Sequence, residues 1–266
     1  MSPFGYHGKI LHVDLTTQTT HIEQPDKNFW RTYAGGGLLA AYYLFQHTPA
    51  GIDAFDPQNL LIFTSSVIAG LPYAGLARFT TAAKSPLTDG IGETRTEGPF
   101  GMSLKSSGVD AIIIRGKAEA PMIIKCEDGQ VEFISGAPYW GLSTTSTHNK
   151  LCDVFGGDCH SAVIGPAGEN KVRFASIVTD ACFQAARMGM GAVMGSKTLK
   201  ALLLKGKNPP PVFDPRACEK ITADYRQEML ENPLTQWQHE PPGFSCWVHT
   251  HGTYTALCTH NYSESV

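Results

Sequence analysis

Arg187 stands in the stretch Gln184-Ala-Ala-Arg-Met-Gly-Met-Gly-Ala-Val-Met-Gly-Ser-Lys197, followed closely by Gly189, Gly191 and Gly195. A guanidinium fork beside nearly bare backbone can hold an anion, because glycines let peptide N–H groups approach while the arginine supplies fixed charge. The chemistry such a stretch could do is phosphate binding. It is not a P-loop, since three residues rather than four separate Gly191 from Gly195 and the serine precedes the lysine. Nor is it a dinucleotide fingerprint, since Thr179 to Phe183 are polar or mixed and the clear strand, Ala201 to Leu204, comes afterwards. The same spacing suits a helix of small residues, Gly189 to Leu199, packed tightly on that strand, and the residues alone leave both readings open.

A second group with chemical potential is the tail, where Cys246-x-x-His249 and Cys258-x-His260 bring metal-type side chains together. Their spacing matches no structural zinc pattern, so the tail is expected to line an interface with a further domain. The seven cysteines, at 126, 152, 159, 182, 218, 246 and 258, include no C-x-x-C pair, and their odd number argues against a fully paired disulfide framework. A reducing cytoplasm is the expected setting. With 42% hydrophobic and 17% charged residues the chain can bury a core, and a net charge of −3 offers no general attraction to nucleic acid or anionic lipid. Any anion site must be local. No stretch has the roughly 18 apolar residues of a membrane span.

The elements that would position these residues alternate between strand and helix. Lys9 to Leu15 and Thr19 to Glu23 read as a hairpin, Pro25 to Tyr33 and Leu38 to Gln46 as helices parted by Gly35-Gly36-Gly37. Strands are expected at 60–63, 77–84, 111–115, 122–126 and 131–134, a short helix at 100–107 and a longer one at 143–155. A long loop, Ser85 to Gly98, carries Arg95. Strands 161–164 and 172–178 then flank a turn. Gly165 and Arg173-Phe174 repeat the spacing of Gly70 and Arg78-Phe79, which reads as an internal duplication. It predicts two half-domains presenting equivalent loops, Ser85 to Gly98 and Thr179 to Gly189, to one central site. Pro209-Pro210-Pro211 marks a stiff linker, giving domains of 1–207 and 208–266, the second opening on a helix from Pro215 to Glu231.

Several stretches in order resemble the N-terminal domain of the tungsten or molybdenum aldehyde ferredoxin oxidoreductases, a group that includes hydroxycarboxylate viologen oxidoreductase and benzoyl-CoA reductase relatives. They are Gly8 to Thr17, Tyr33-Ala-Gly-Gly-Gly37, Arg78 with Lys84-Ser-Pro-Leu-Thr88, Gly98-Pro-Phe-Gly101, Gly108 to Lys117, Trp140-Gly141, Ile164 to Asn170 and Gly191 to Lys197. The resemblance implies an α+β, β-rich domain of two sheets related by a pseudo-twofold axis, with a short helical C-terminal segment that belongs to an incomplete second domain. It further implies that this domain is the base for a tungsten or molybdenum held by two pyranopterins, with magnesium bridging the pterin phosphates. The positions that match the family's cofactor contacts are Arg78, Gly98, Ala185, Arg187 and Gly189; the alternative for either arginine is a structural ion pair or a solvated side chain. Where the family has an Asn-Ser-Gly-Gly type turn this chain has Arg95-Thr96-Glu97-Gly98, and for Arg-Ala-Ala-Gly-Arg-Gly-Gly it has Phe183 to Gly189. Arg95 is therefore expected to replace the charge lost at Phe183, and Glu97 to need Arg95 or a cation to offset it.

The resemblance also implies a small-molecule aldehyde or related substrate, and ferredoxin or an iron–sulfur subunit as electron acceptor. No catalytic or metal-ligating residue is expected in this chain. The family's cluster motif and acid–base groups fall after its last residue, so the polypeptide is expected to be a fragment, a truncated relative or one piece of a split enzyme, inactive without domains supplied in cis or trans. A non-catalytic binding or scaffold module is the competing expectation, and an independent anion-binding protein a third.

Overall fold

The computed structural model describes residues 4–241, 243–253, 258–260 and 263–265. The first half runs β1 (Ile10–Asp14), β2 (Thr19–Glu23), α1 (Lys27–Tyr33), α2 (Gly36–His47), β3 (Leu61–Thr64), β4 (Arg78–Lys84), β5 (Ile91–Glu97), α3 (Pro99–Ser106) and β6 (Ala111–Arg115). The second runs β7 (Met122–Glu127), β8 (Gln130–Ser135), α4 (Thr144–Phe155), β9 (His160–Val163), α5 (Pro166–Glu169), β10 (Ile177–Thr179), β11 (Phe183–Ala185), α6 (Met190–Ser196) and β12 (Leu199–Lys205).

Each half forms a six-stranded sheet, ordered β2-β1-β6-β3-β4-β5 in the first and β8-β7-β12-β9-β10-β11 in the second. Adding six to each strand number of the first sheet gives the second. The directions repeat too: β1 runs parallel to β6 and β7 to β12, and the remaining neighbours are antiparallel. The duplication is thus written in the topology, and the fold is the expected α+β pair of sheets.

Strand alternation divides the core. Leu11, Phe63, Phe79 and Ile112 from the first sheet, with Ile124, Ala162, Leu202 and Leu204 from the second, join Phe100 and Leu104 of α3 and Val193 and Met194 of α6 in one shared cluster. Each of these helices packs on strands of both sheets, α3 on β4, β9 and β12 and α6 on β3, β4, β10 and β12. The opposite face of the first sheet, Ile10, Ile62 and Ile113, packs on Trp30 of α1 and Leu39 and Tyr43 of α2. That of the second sheet, Ile123, Val163 and Leu203, packs on Leu151 of α4. Local signals start the outer helices: Asp26 Oδ1 accepts from Phe29 N at 2.9 Å and Ser143 Oγ from Ser146 N at 3.2 Å.

Three expectations change. The span Ser85 to Gly98 contains edge strand β5, and Thr179 to Gly189 contains edge strand β11, so these are sheet edges rather than loops. Residues 172–176 form a turn after α5, leaving only Ile177–Thr179 as strand, so Arg173 precedes its strand while Arg78 begins β4. Gly191 and Gly195 face the protein's own backbone. Ala175 O accepts from Gly191 N at 2.9 Å, and a Cβ on Gly195 would collide with the carbonyl of Gly168, so α6 is the tightly packed small-residue helix.

The chain divides into two compact units between Phe213 and Asp214. Pro209 to Pro211 lie in the first, where Gly5 N donates to Pro211 O at 2.7 Å. In the second, Asp214 caps α7 (Pro215–Glu231), which buries none of its residues, and α8 (Cys246–Thr253) carries Trp247, whose ring lies 5.7 Å from that of Trp237. No helix among the described residues is long and apolar enough to cross a membrane.

Candidate cofactor cleft at the junction of the two sheets

The free edges β5 and β11 approach one another, and between them opens a cleft of about 530 Å³ lined by Glu93, Thr94, Arg95, Gln184, Ala186 and Arg187. Alternation along β5 buries Thr94 and Thr96 and turns Arg95 and Glu97 outward, with Glu93 half-buried on the same side. Arg95 Nε donates to Glu93 Oε1 at 2.6 Å. The Glu93 carboxylate in turn lies against Gly37 in the first turn of α2, in the space a Cβ there would need. The triple glycine thus admits a carboxylate to the start of a helix, where negative charge is favoured.

Two reciprocal contacts join the halves. Gly98, which caps α3 at φ 112°, has the Phe183 ring of β11 where its own Cβ would sit. Gly189, which caps α6 at φ 73°, has Pro86 Cγ and the Arg173 carbonyl in that place. Ser85 Oγ donates to Met188 O at 2.9 Å, and Gly92 leaves room for the Met188 side chain. So the β4–β5 connection of one half clamps the Arg187 to Gly189 turn of the other. Met188 holds φ 63°, a conformation a glycine adopts freely and another residue rarely.

The cleft therefore gathers Arg95 and Arg187. Arg78 starts the neighbouring strand β4, opposite Glu97 in the β4–β5 register, and donates to Glu97 Oε1 at 2.5 Å. The partner that offsets Glu97 is thus Arg78; Arg95 is engaged by Glu93 instead. Ala185 is buried and pairs with Ile177, so its side chain serves the shared core. Among the described residues Arg187 makes no ion pair or hydrogen bond, leaving its fork open to the cleft. Sequence reasoning missed Glu93, Gln184 and the clamp residues Ser85 and Pro86. Glu93 could have been found from the i, i+2 spacing to Arg95, had β5 been read as a strand.

A phosphate-bearing group fits this chemistry. Two guanidiniums, one on edge strand β5 and one on the turn after β11, line one opening, the first already oriented by a carboxylate and the second uncommitted. The described residues contain no group of three or more His, Cys, Asp or Glu side chains able to hold a metal ion directly. The tail pairing Cys246-x-x-His249 rests on His249, whose side chain lies outside the described residues.

Two six-stranded sheets of one repeated topology, with a cleft holding two arginines where their edges meet, define the class of this domain. The aldehyde ferredoxin oxidoreductase N-terminal domain family matches residues 10–206, from the first residue of β1 to just past β12, and the chain belongs to that family. The tungsten-containing aldehyde ferredoxin oxidoreductase of Pyrococcus abyssi is 36% identical over 233 residues, 87% of this chain and 38% of the relative. An aliphatic sulfonate oxidoreductase, WOR-like subunit, of Pyrococcus furiosus is 30% identical over 264 residues, 91% of this chain and 41% of the relative. Among solved structures, the active-site complex BamBC of benzoyl coenzyme A reductase with 1,5-dienoyl-CoA matches with a TM-score of 0.81 and 31% identity, over 86% of this chain and 36% of that one. The chain spans about two fifths of the length of the curated relatives it matches.

Proposed function

We propose that this domain seats a tungsten or molybdenum bis-pyranopterin cofactor, its phosphates bridged by magnesium, in a cytoplasmic oxidoreductase that converts aldehydes to carboxylic acids or performs a related two-electron reaction. Ferredoxin or a similar iron–sulfur carrier is the proposed acceptor. The observation that carries the reading is the convergence on one cleft of Arg95, from edge strand β5, and Arg187, from the turn that follows the quasi-equivalent strand β11. When bound, such a cofactor supplies the redox chemistry. The residues of this chain bind and orient: Arg187 and Arg95 hold phosphate, Glu93 fixes the Arg95 fork, and Ser85 with Pro86 fixes the turn that carries Arg187. In this proposal the residues of this chain carry no catalytic step, and the iron–sulfur cluster and the acid–base groups come from other parts of the enzyme.

The rival reading is a binding module without cofactor. It draws on the pairing of Arg78 with Glu97 and Arg95 with Glu93, which occupies two of the three guanidiniums considered for phosphate. Metal and pterin content of the assembled enzyme, grown with tungstate and molybdate, separates the two. Under the proposal Arg187→Ala lowers pterin and metal occupancy at least about tenfold, the worth of one charge-assisted phosphate contact, and Arg95→Ala lowers it by less. Undiminished occupancy in both variants would remove these arginines from the site.

A further inference from the structure

On the outer face of the second sheet, away from the cleft, two thiols lie side by side. Cys152, in the last turn of α4, has its Sγ 3.7 Å from that of Cys159, which precedes β9. Both are free, Cys152 half-buried and Cys159 2% exposed. His148, one turn earlier on α4, places Nε2 3.6 Å from Cys152 Sγ, while its Nδ1 lies 2.8 Å from Ser161 Oγ. With the ring proton on Nδ1 and donated to Ser161, the Nε2 lone pair faces the Cys152 thiol. The arrangement is a nucleophile, a base and a group that orients the base.

A metal is not the natural occupant, because no third ligand closes around the sulfurs: among the described residues no group of three such side chains can hold an ion. A disulfide is within reach. The sulfurs must approach by roughly 1.7 Å to reach a bond of about 2.05 Å, and the segment between them contains Gly156, at φ 96°, and Gly157, where a Cβ would meet nothing within 4 Å. Lys205 braces that segment from β12, its Nζ contacting Phe155 O at 3.2 Å and Asp158 Oδ1 at 3.0 Å.

We propose that Cys152 and Cys159 form a thiol–disulfide exchange site that takes a low-molecular-weight disulfide of the glutathione class as its oxidant. His148 Nε2 accepts the Cys152 proton, and the thiolate attacks one sulfur of the disulfide, forming a mixed disulfide on Cys152. The displaced thiolate leaves with the proton held by His148. Cys159 Sγ then attacks Cys152 Sγ, and the second small thiolate departs with the Cys159 proton. The dithiol loses two electrons to the small disulfide, giving a Cys152–Cys159 bond and two small thiols. Burial pushes the Cys159 thiol up to about 12, and the neighbouring Cys152 adds to the shift. Cys159 is thus the resolving partner rather than the first nucleophile.

The full chain, reduced and then incubated with oxidised glutathione, tests this by intact mass and peptide mapping. The expected wild-type product has lost two hydrogens, keeps no glutathione on Cys152 and yields a Cys152–Cys159 cross-linked peptide. Cys159→Ser is expected to retain glutathione on Cys152, and His148→Ala to slow the first step by at least about tenfold. Circular dichroism of each variant checks folding, and the wild-type result stands alone if a variant does not fold. A wild-type chain that leaves both thiols reduced, keeps a stable adduct on Cys152 or pairs either residue with another cysteine would overturn the proposal.

Discussion

Gly195→Ala is expected to cost this domain about 3 kcal/mol or more, because overpacking against backbone cannot be relieved by a side-chain rotation. Gly195 lies in α6 where a Cβ would strike the carbonyl of Gly168 at the end of α5, and Gly191 one turn earlier meets the Ser176 carbonyl in the same way. Neither carbonyl can move freely, since Gly168 O accepts from Lys171 N at 2.9 Å, and Ser176 is held between Ala175, whose N–H donates to Val172 O at 2.8 Å, and the start of β10. The helix must retreat instead. It would carry with it Val193 and Met194 of the shared core and the Arg187 to Gly189 turn at its start. Gly157→Ala is the matched control: nothing lies within 4 Å of its added Cβ, and a change within about 0.5 kcal/mol is expected. Urea unfolding of the three proteins checks the pair. Equal midpoints for Gly195→Ala and wild type would mean that α6 is loosely held.

The second large effect is a rise of stability with pH that Lys197 produces. This lysine is fully buried at the end of α6, with Nζ bonded to Pro57 O at 3.1 Å and Gly116 O at 3.3 Å, and burial pulls it down to about 7 from its ordinary 10.5. Asp56 and Asp14 pull the other way without overcoming burial. Below about pH 7 the group is protonated in both folded and unfolded chains, and the full cost of burying the charge is present. Between 7 and 10.5 the unfolded chain still binds the proton that the folded chain has released, so stability increases with pH. Above both values the increase stops. The whole gain is about 3–5 kcal/mol, at most about 1.4 kcal/mol per pH unit. Lys105, pulled to about 8 by burial against the opposing pull of Asp110, adds a slope of the same sign that begins one unit higher. Lys197→Met is therefore expected to lower the slope between pH 7.5 and 9.5 by about 1.4 kcal/mol per unit while the part due to Lys105 remains. Unfolding free energies across that range decide it, and an unchanged slope would place the titration elsewhere.

How much of this was legible in the residues depended on how strongly each element announces itself. Ala111 to Arg115 and Met122 to Cys126 are apolar and β-branched enough to read directly, the apolar run Ala201 to Leu204 gives the centre of β12 though not its start at Leu199, and Asp128-Gly129 between β7 and β8 reads as the hairpin turn it forms. The edge strands did not. β5, Ile-Gly-Glu-Thr-Arg-Thr-Glu, alternates without large apolar side chains, because its buried face holds Gly92, Thr94 and Thr96 against the other half. β11 has three residues, and Ala185 alone among them is fully buried. Both strands exist because of tertiary pairing rather than local preference. The duplication was visible at Gly70 and Gly165, yet the arginines matched with them are not equivalent, since α5 and its following turn absorb residues that β4 uses as strand. The pairing of Glu97 with Arg78 follows from a cross-strand register that no single stretch contains. The glycines of α6 were the hardest case. Close approach by a phosphate and close approach by Gly168 and Ser176 demand the same residue, and only the neighbours distinguish them.

As proposed, β5 and β11 together form the seat of a metal–pterin group. Anomalous diffraction from crystals of the loaded enzyme, collected at the tungsten or molybdenum edge, tests it most directly. The account predicts a single metal peak in front of the β5–β11 junction, with phosphate density contacting Arg187 and Arg95. A peak elsewhere, or phosphate density that leaves both arginines solvated, would contradict it.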